Sequence, residues 1–286
     1  MIFICASITI GNNNRIISRC LRTRYWITDI CIAQPCCWTP LICSSTGSLK
    51  TNISINTYGL FLPDNYEEEK DKQYPTLFLF LGGEHMFHAA SGMSRLLSRH
   101  GEIPEMIVVG INNISWWKDL TPEKLEWKEE AGGGKDFLDF LSQQLIPHID
   151  KSYRTTDHRI FMGHSLGGMY GIYVLSEAEQ LFDDFVLISP SIQDRANSLF
   201  EKLEQKIAAE KDFQHDVYIT IGGDEGRRIT KGMHKLATVF TEHGRKQFNW
   251  KTISMDGHNH FSLMVPTIME GLIYVCENDM PKEEND

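Results

Sequence analysis

Apolar residues in this chain collect in two alternating kinds of stretch. One kind is short and mostly continuous, at residues 76–81, 106–111, 159–163, 185–189 and 217–221, with a last strand at 250–255. Runs of this length suit strands buried on both faces. The other kind repeats every three or four residues. Met86, Phe87, Met93, Leu96 and Leu97 predict a helix over 86–99, and Phe137, Leu138, Leu141, Leu145 and Ile149 predict another from about residue 135. Pro147 should kink that helix or end its regular part. Residues 166–176 read as a helix. Two more carry Leu199, Phe200, Leu203 and Ile207, and then Met233, Leu236, Ala237 and Phe240, the second closing near Gly244. Phe261, Met264, Val265, Ile268, Leu272 and Val275 predict a closing helix with one apolar face.

Ahead of these, Ile53, Ile55 and residues 58–63 read as strands stopped by Pro63. Residues 64–72 form a charged, hairpin-like surface connection, 112–122 a loop rich in Asn and Trp, and 131–134 a flexible glycine break. Strands alternating with amphipathic helices demand a mainly parallel sheet covered on both faces, an α/β fold. In such a sheet, active groups gather at the carboxyl ends of the strands. Gly82-Gly83, Asn112-Asn113, Ser165, Ser189-Pro190, residues 222–225 and residues 257–260 all lie at such ends, which points to one site.

Composition changes the picture at the two termini. Arg15, Arg19, Arg22 and Arg24 stand against Asp29 in the first segment, while the whole chain of 286 residues carries a formal charge of -10. Cys5, Cys20, Cys31, Cys36, Cys37 and Cys43 share that segment, and only Cys276 lies beyond it. Their spacing matches no zinc ribbon or finger. Without a sustained period, residues 1–45 read as a poorly ordered, non-homologous extension, or as translated sequence upstream of the true start. Residues 46–279 then form the folded domain and 280–286 an acidic tail. The acidic balance argues against a nucleic-acid surface. No apolar run is long enough to span a bilayer, and the short apolar start lacks a basic leader. These features favour the cytoplasm, with periplasmic or secreted placement as the alternatives. Oligomeric state is not encoded in any pattern read here.

The candidate chemistry centres on Gly163-His164-Ser165-Leu166-Gly167, a G-x-S-x-G pattern between a strand and a helix. Such an elbow holds a serine in a strained backbone with its hydroxyl exposed, and flanking glycines let strand and helix approach closely. A serine hydroxyl needs a base within hydrogen-bond reach, and the base needs an orienting carboxylate. With a nucleophile on such an elbow, the acid and then the histidine follow it in the chain. Asp224 and Glu225 follow the strand at 217–221, and Asp194 is a more distant candidate. His258 and His260 follow the last strand; His260, adjacent to the closing helix, is the better placed. The His-x-His pair lacks companion ligands at a convincing spacing, so no metal site is expected. A tetrahedral intermediate needs two backbone donors. The N–H of Leu166 and that of Glu84, after Gly82-Gly83, are the candidates. His164 reads as a packed, hydrogen-bonded histidine and Tyr170 as helix packing. Gly83, His85, Trp116 and Trp117 are candidate substrate contacts, with His88 also near the oxyanion loop.

These motifs resemble the putative-esterase family of α/β-hydrolases, which includes feruloyl esterases, S-formylglutathione hydrolase, mycolyltransferases and siderophore trilactone esterases. The resemblance is carried by Tyr74-Pro75, 81–83, 103–111, 119–122, 163–168, Ser189-Pro190-Ser191 and His260-Phe261-Ser262, across residues 53–277. It is strongest to the subgroup holding the siderophore esterases. Those relatives usually carry Asp-Gly at Gly82-Gly83, and often an arginine near Trp116-Trp117. The resemblance implies the α/β-hydrolase fold and aligns Glu225 with the acid. It also implies carboxyl-ester hydrolysis by a Ser165–Glu225–His260 triad through an acyl-enzyme, with no cofactor. The expected partner is a small-molecule ester, either a small acyl ester or a siderophore-type lactone. Alternatives are a feruloyl or acetyl carbohydrate esterase, an acyltransferase, or a lapsed hydrolase that only binds its ligand.

Overall fold

A buried strand satisfies its backbone N–H and C=O groups only through its neighbours. Here they are met in an eight-stranded sheet, seen in a computed structural model that describes residues 5–7, 18–20, 45–50, 55–111, 114–192, 197–209, 214–243 and 249–278. The chain divides into two units, residues 1–41 and 42–286. In the first, β1 (Cys5–Ser7) pairs antiparallel with β2 (Ser18–Cys20). Most of the expected extension over 1–45, the tail over 280–286, Asn112-Asn113 and Asp194 lie outside the described residues.

The second unit contains β3 (Ser45–Lys50), β4 (Ile55–Phe61), β5 (Tyr74–Phe80), β6 (Ile107–Ile111), β7 (Thr155–His164), β8 (Asp184–Ile188), β9 (Asp216–Gly222) and β10 (Asn249–Met255). Their order across the sheet is β10-β9-β8-β7-β5-β6-β4-β3. From β10 through β6 every pairing is parallel; β4 joins β6 antiparallel, and β3 joins β4 likewise. Chain order reverses beside β5, since β6 lies on one side of it and β7 on the other. That reversal is the switch point where the loops part and leave a crevice.

The helices are α1 (Glu84–Arg99), α2 (Trp116–Asp119), α3 (Gly134–Phe140), α4 (Ile146–Ser152), α5 (Leu166–Glu177), α6 (Asn197–Ala209), α7 (Arg227–His243) and α8 (Met264–Cys276). Successive strand residues face opposite layers. Leu77 and Leu79 therefore join one core with Met86 and Phe87 of α1 and Ile268 and Leu272 of α8. Phe78 and Phe80 join the other, with residues of α3 to α7. The Phe80 and Phe161 rings stack there at 4.2 Å between centroids. Full burial of each such side chain contributes roughly 1.5–3 kcal/mol.

Several local expectations change. A strand not anticipated, β3, begins at Ser45, and its pairing with β4 is set by its neighbour and not by an apolar period of its own. Residues 64–72 do not close a hairpin, because β4 hydrogen-bonds to β3 and β6, not to β5. The 112–122 loop contains α2, where the Ser115 N–H donates to Asp119 Oδ2 at 2.8 Å. The helix does lose its regular part as Pro147 leads one to expect, but ahead of the proline: α3 ends at Phe140, and a π-helical turn at Leu141–Leu145 precedes α4, with the proline in its first turn. Proline lacks an N–H to give and is tolerated at that end. Leu96 and Val265 were assigned to apolar faces but are 51% and 50% exposed, and Phe261 lies before α8 with 72% exposure. Among the described residues no helix is long and apolar enough to cross a membrane.

Candidate active site

Sheet register alone brings the expected loops together. Phe80 pairs with Gly163, which sets the turn after β5 beside the turn after β7. His164 pairs with Ile188, so Ser189 follows beside Ser165. Ile188 pairs with Thr220, and Gly222 with Met255, which adds the loops carrying Glu225 and His260.

Ser165 caps α5 with φ 58 and ψ -116, a left-handed conformation that a side chain adopts only at a cost. The turn closes because Cβ atoms are missing on both sides. A Cβ on Gly163 would lie 2.4 Å from the Gly167 carbonyl oxygen, and one on Gly167 would lie 2.2 Å from that of Phe80. The Ser165 N–H donates to the Ile188 carbonyl at 3.0 Å. Its hydroxyl lies 2.9 Å from the hydroxyl of Ser191.

Glu225, not Asp224, meets a histidine, and the histidine is His260. Their Nδ1 and Oε2 atoms are 2.8 Å apart. Asp224 is exposed, with its N–H on the His258 carbonyl. The Glu225 side chain is only 2% exposed. Burial pushes its carboxyl up, but the bonds from His260, Ser189 and the Gly222 N–H outweigh that and hold it below the usual range. Gly222 N–H reaches Oε1 at 2.8 Å, and the Ser189 hydroxyl reaches Oε2 at 2.6 Å. A carboxylate can only accept, so His260 Nδ1 carries a proton and leaves Nε2 as the acceptor. The Nδ1 of His258 is buried without a hydrogen-bond partner.

His164 holds this pair from behind. Its Nε2 is 2.7 Å from the His260 carbonyl oxygen, which accepts, and the two rings stand 4.5 Å apart. Burial pulls the His164 imidazole down to about 4, so it is neutral near pH 7. Tyr170 is fully buried and donates to the Gly134 carbonyl at 3.0 Å.

Leu166 and Glu84 are the first residues of α5 and α1, whose opening N–H groups have no partner within their helices. Gly82 and Gly83 have φ of 79 and 93 and shape the approach to α1. Trp116 packs onto this turn: a Cβ on Gly82 would lie 2.5 Å from its ring. Trp117 sits edge-on to Trp127 at 5.0 Å, and Trp127 is 59% exposed. His85 lies over Gly83 and is exposed, while His88 approaches Glu84 at 3.6 Å. The Phe261 ring flanks His260 at 5.3 Å. Ser189-Pro190 stands among the expected converging ends, but the hydroxyl contacts of Ser189 and Ser191 and the ring of Phe261 are additions of the structure. The signal for the serines was two hydroxyls around a proline at a strand's carboxyl end. Among the described residues no group of three or more His, Cys, Asp or Glu is arranged to hold a metal ion.

A mostly parallel sheet with this elbow at its switch point defines an α/β-hydrolase. The chain belongs to the esterase family described as "Putative esterase", which matches residues 47–262, and is a carboxylic ester hydrolase. It is 23% identical over 256 residues to the ferri-bacillibactin esterase BesA of Bacillus subtilis (strain 168), covering 79% of this chain and 86% of that one. Among solved structures it is similar to an IroE-like serine hydrolase from Shewanella oneidensis, with a TM-score of 0.75 and 22% identity over 84% of this chain and 82% of the other. It is also similar to the siderophore hydrolase EstA from Aspergillus nidulans, with a TM-score of 0.68 and 18% identity over 82% and 94%.

Proposed function

We propose that Ser165 is the nucleophile, His260 the general base and Glu225 the carboxylate that orients it. The observation carrying this reading is the His260–Glu225 contact of 2.8 Å beside a serine held at φ 58. His260 Nε2 takes the Ser165 proton as Oγ bonds to the ester carbonyl carbon. The carbonyl oxygen becomes an oxyanion, received by the N–H groups of Leu166 and Glu84. Collapse breaks the ester C–O bond, and imidazolium returns its proton to the departing alkoxide. Water, deprotonated by the same imidazole, then attacks the acyl-enzyme and releases the acid and free Ser165. Glu225 stays ionised throughout and stabilises the imidazolium. Ser165 leaves its bond with Ser191 to engage Nε2, a side-chain rotation.

The substrate class is a bulky ester with flat rings, of the siderophore-lactone kind. Support comes from the siderophore hydrolases among its relatives and from the exposed Phe261 ring beside His260. On the oxyanion side we assign substrate contact to Gly83, to Trp116 and His85, which pack on the Gly82-Gly83 turn, and to Trp117 next to Trp116. Turnover of p-nitrophenyl acetate by wild type and Ser165→Ala tests the nucleophile; undiminished activity in the variant excludes it. A trilactone siderophore and a feruloyl ester, each assayed with and without an added alcohol acceptor, test substrate and acceptor. Preference for the feruloyl ester would replace the lactone reading, and transesterified product would replace water as the acceptor.

A further inference from the structure

Among the described residues, Ser165 and Ser189 are the non-glycine positions with positive φ. Strained backbone of this kind concentrates at functional sites, where surrounding structure over-determines it. Ser189 has φ 39 and is fully buried at the end of β8. Its N–H is fixed on the Thr220 carbonyl of β9 at 2.8 Å. That fixture aims its hydroxyl at two partners, Glu225 Oε2 at 2.6 Å and His260 Nδ1 at 2.8 Å. Oε2 and Nδ1 are themselves 2.8 Å apart, so the three atoms form a closed triangle.

Proton counting assigns each side of the triangle. The carboxylate oxygen only accepts, so the one Ser189 proton goes to Oε2. The Nδ1–H then faces Oε2 and the Ser189 oxygen together, and that oxygen has a lone pair to offer. One hydroxyl thus donates to the acid and accepts from the base. From this closed triangle we infer that Ser189 is a positioning residue that locks carboxylate and imidazole in one alignment. The inference rests on the proposed triad and goes beyond it, since a Ser–His–acid mechanism requires no fourth member. Its neighbours support the assignment. After Pro190, the Ser191 N–H donates to the Ser165 carbonyl at 2.9 Å, so one tripeptide touches all three proposed triad residues. A Cβ on Gly168 would lie 3.1 Å from Pro190 Cα, which ties the tripeptide to α5.

Hydrogen bonds to charged groups are strong enough that losing this one should lower kcat about ten- to a hundred-fold, with KM nearly unchanged. The decisive variant is Ser189→Gly, because glycine adopts φ 39 without strain as it removes the hydroxymethyl group. Ser189→Ala is its companion, and the melting temperature of each checks folding. kcat on p-nitrophenyl acetate is measured for both, for Glu225→Gln and for the Ser189→Gly/Glu225→Gln pair. The expected result is a large loss of kcat in Ser189→Gly while its melting temperature stays well above the assay temperature, and little further loss when it is added to Glu225→Gln. Near-wild-type kcat in Ser189→Gly overturns the inference, as do losses that multiply in the double variant. Ser165→Ala is run alongside: if it stays active the triad reading fails, whereas an inactive Ser165→Ala beside a fully active Ser189→Gly removes Ser189 alone.

Discussion

Two histidine–carboxylate pairs stand at opposite ends of the same sheet. At the carboxyl end, His260 Nδ1 meets Glu225 at 2.8 Å; at the amino end, His158 Nε2 meets Asp184 at 2.6 Å. Both carboxylates are well buried. Their surroundings push them opposite ways. Glu225 collects donors from His260, Ser189 and Gly222, which outweigh burial and lower its pKa. For Asp184 burial wins over the His158 and Asp216 N–H bonds, and its pKa is raised. The amino-end pair borders an open cavity of about 490 Å³, with His215, Asp216 and Asn249 in its wall. Asp216 is itself engaged by Asn249 at 2.8 Å and Asn278 at 3.1 Å. The same His–acid contact thus occurs in two different settings. The carboxyl end adds a strained serine and helix N-termini, which a parallel sheet supplies at that end.

The sharpest way to break this contrast is to remove each histidine. His260→Ala should lower kcat about 10⁴-fold or more, as loss of a general base does. His158→Gln should leave kcat within about twofold. Equal losses in the same ester assay would erase the distinction between the two ends. Next in size, Glu225→Gln should cost about 10²–10⁴-fold in kcat, because the amide orients the imidazole less well and carries no charge to balance the imidazolium. Asp184→Asn should leave kcat near wild type.

Stability against pH sharpens the same comparison. The lowered Glu225 value means its contribution is complete above the ordinary glutamate pKa and is lost as pH falls through the lower folded value. The raised Asp184 value has the reverse sign: its contribution is complete below the ordinary aspartate pKa and is lost as pH rises through the higher folded value. Melting temperatures across the acid range should therefore show the Glu225→Gln deficit shrinking, and an Asp184→Asn deficit growing, as pH falls. His164 adds to the first trend. Its imidazole is held at about 4 against an ordinary 6.5, so its stabilisation is present above 6.5 and fades toward 4. His164→Gln should flatten the wild-type stability slope in that interval.

The smallest effect concerns substrate. Phe261→Ala should raise KM several-fold for an aromatic or trilactone ester and leave that for p-nitrophenyl acetate nearly unchanged, consistent with loss of one ring contact of about 0.5–1.5 kcal/mol. Equal shifts for both substrates would remove Phe261 from substrate contact.

Much of the fold is legible in the residue order. Continuous runs such as 76–81 and 217–221 suit strands buried on both faces, and most of the spaced apolar residues of 86–99 cover one face of the sheet. β3 was not legible, because an edge strand takes its pairing from β4 and not from its own pattern. Phe261 was misread for a related reason. Its spacing continues the α8 stripe, yet Asn259 Oδ1 accepts the N–H groups of Phe261 and Ser262 and turns the chain before the helix begins.

The elbow is the clearest case of what residue order determines by itself. Gly163, Ser165 and Gly167 specify a strand meeting a helix at a distance no Cβ allows, because that constraint acts between near neighbours in the chain. Which carboxylate turns inward, and which hydroxyls meet it, belongs to the tertiary structure alone. Asp224 and Glu225 are adjacent, and register against β8 and β10 sends one to solvent and the other to His260. The Ser189 triangle joins residues 36 and 35 positions from Glu225. Such contacts come from angstrom-scale alignment across three strands, β8, β9 and β10, a property carried by their packing and by no local pattern.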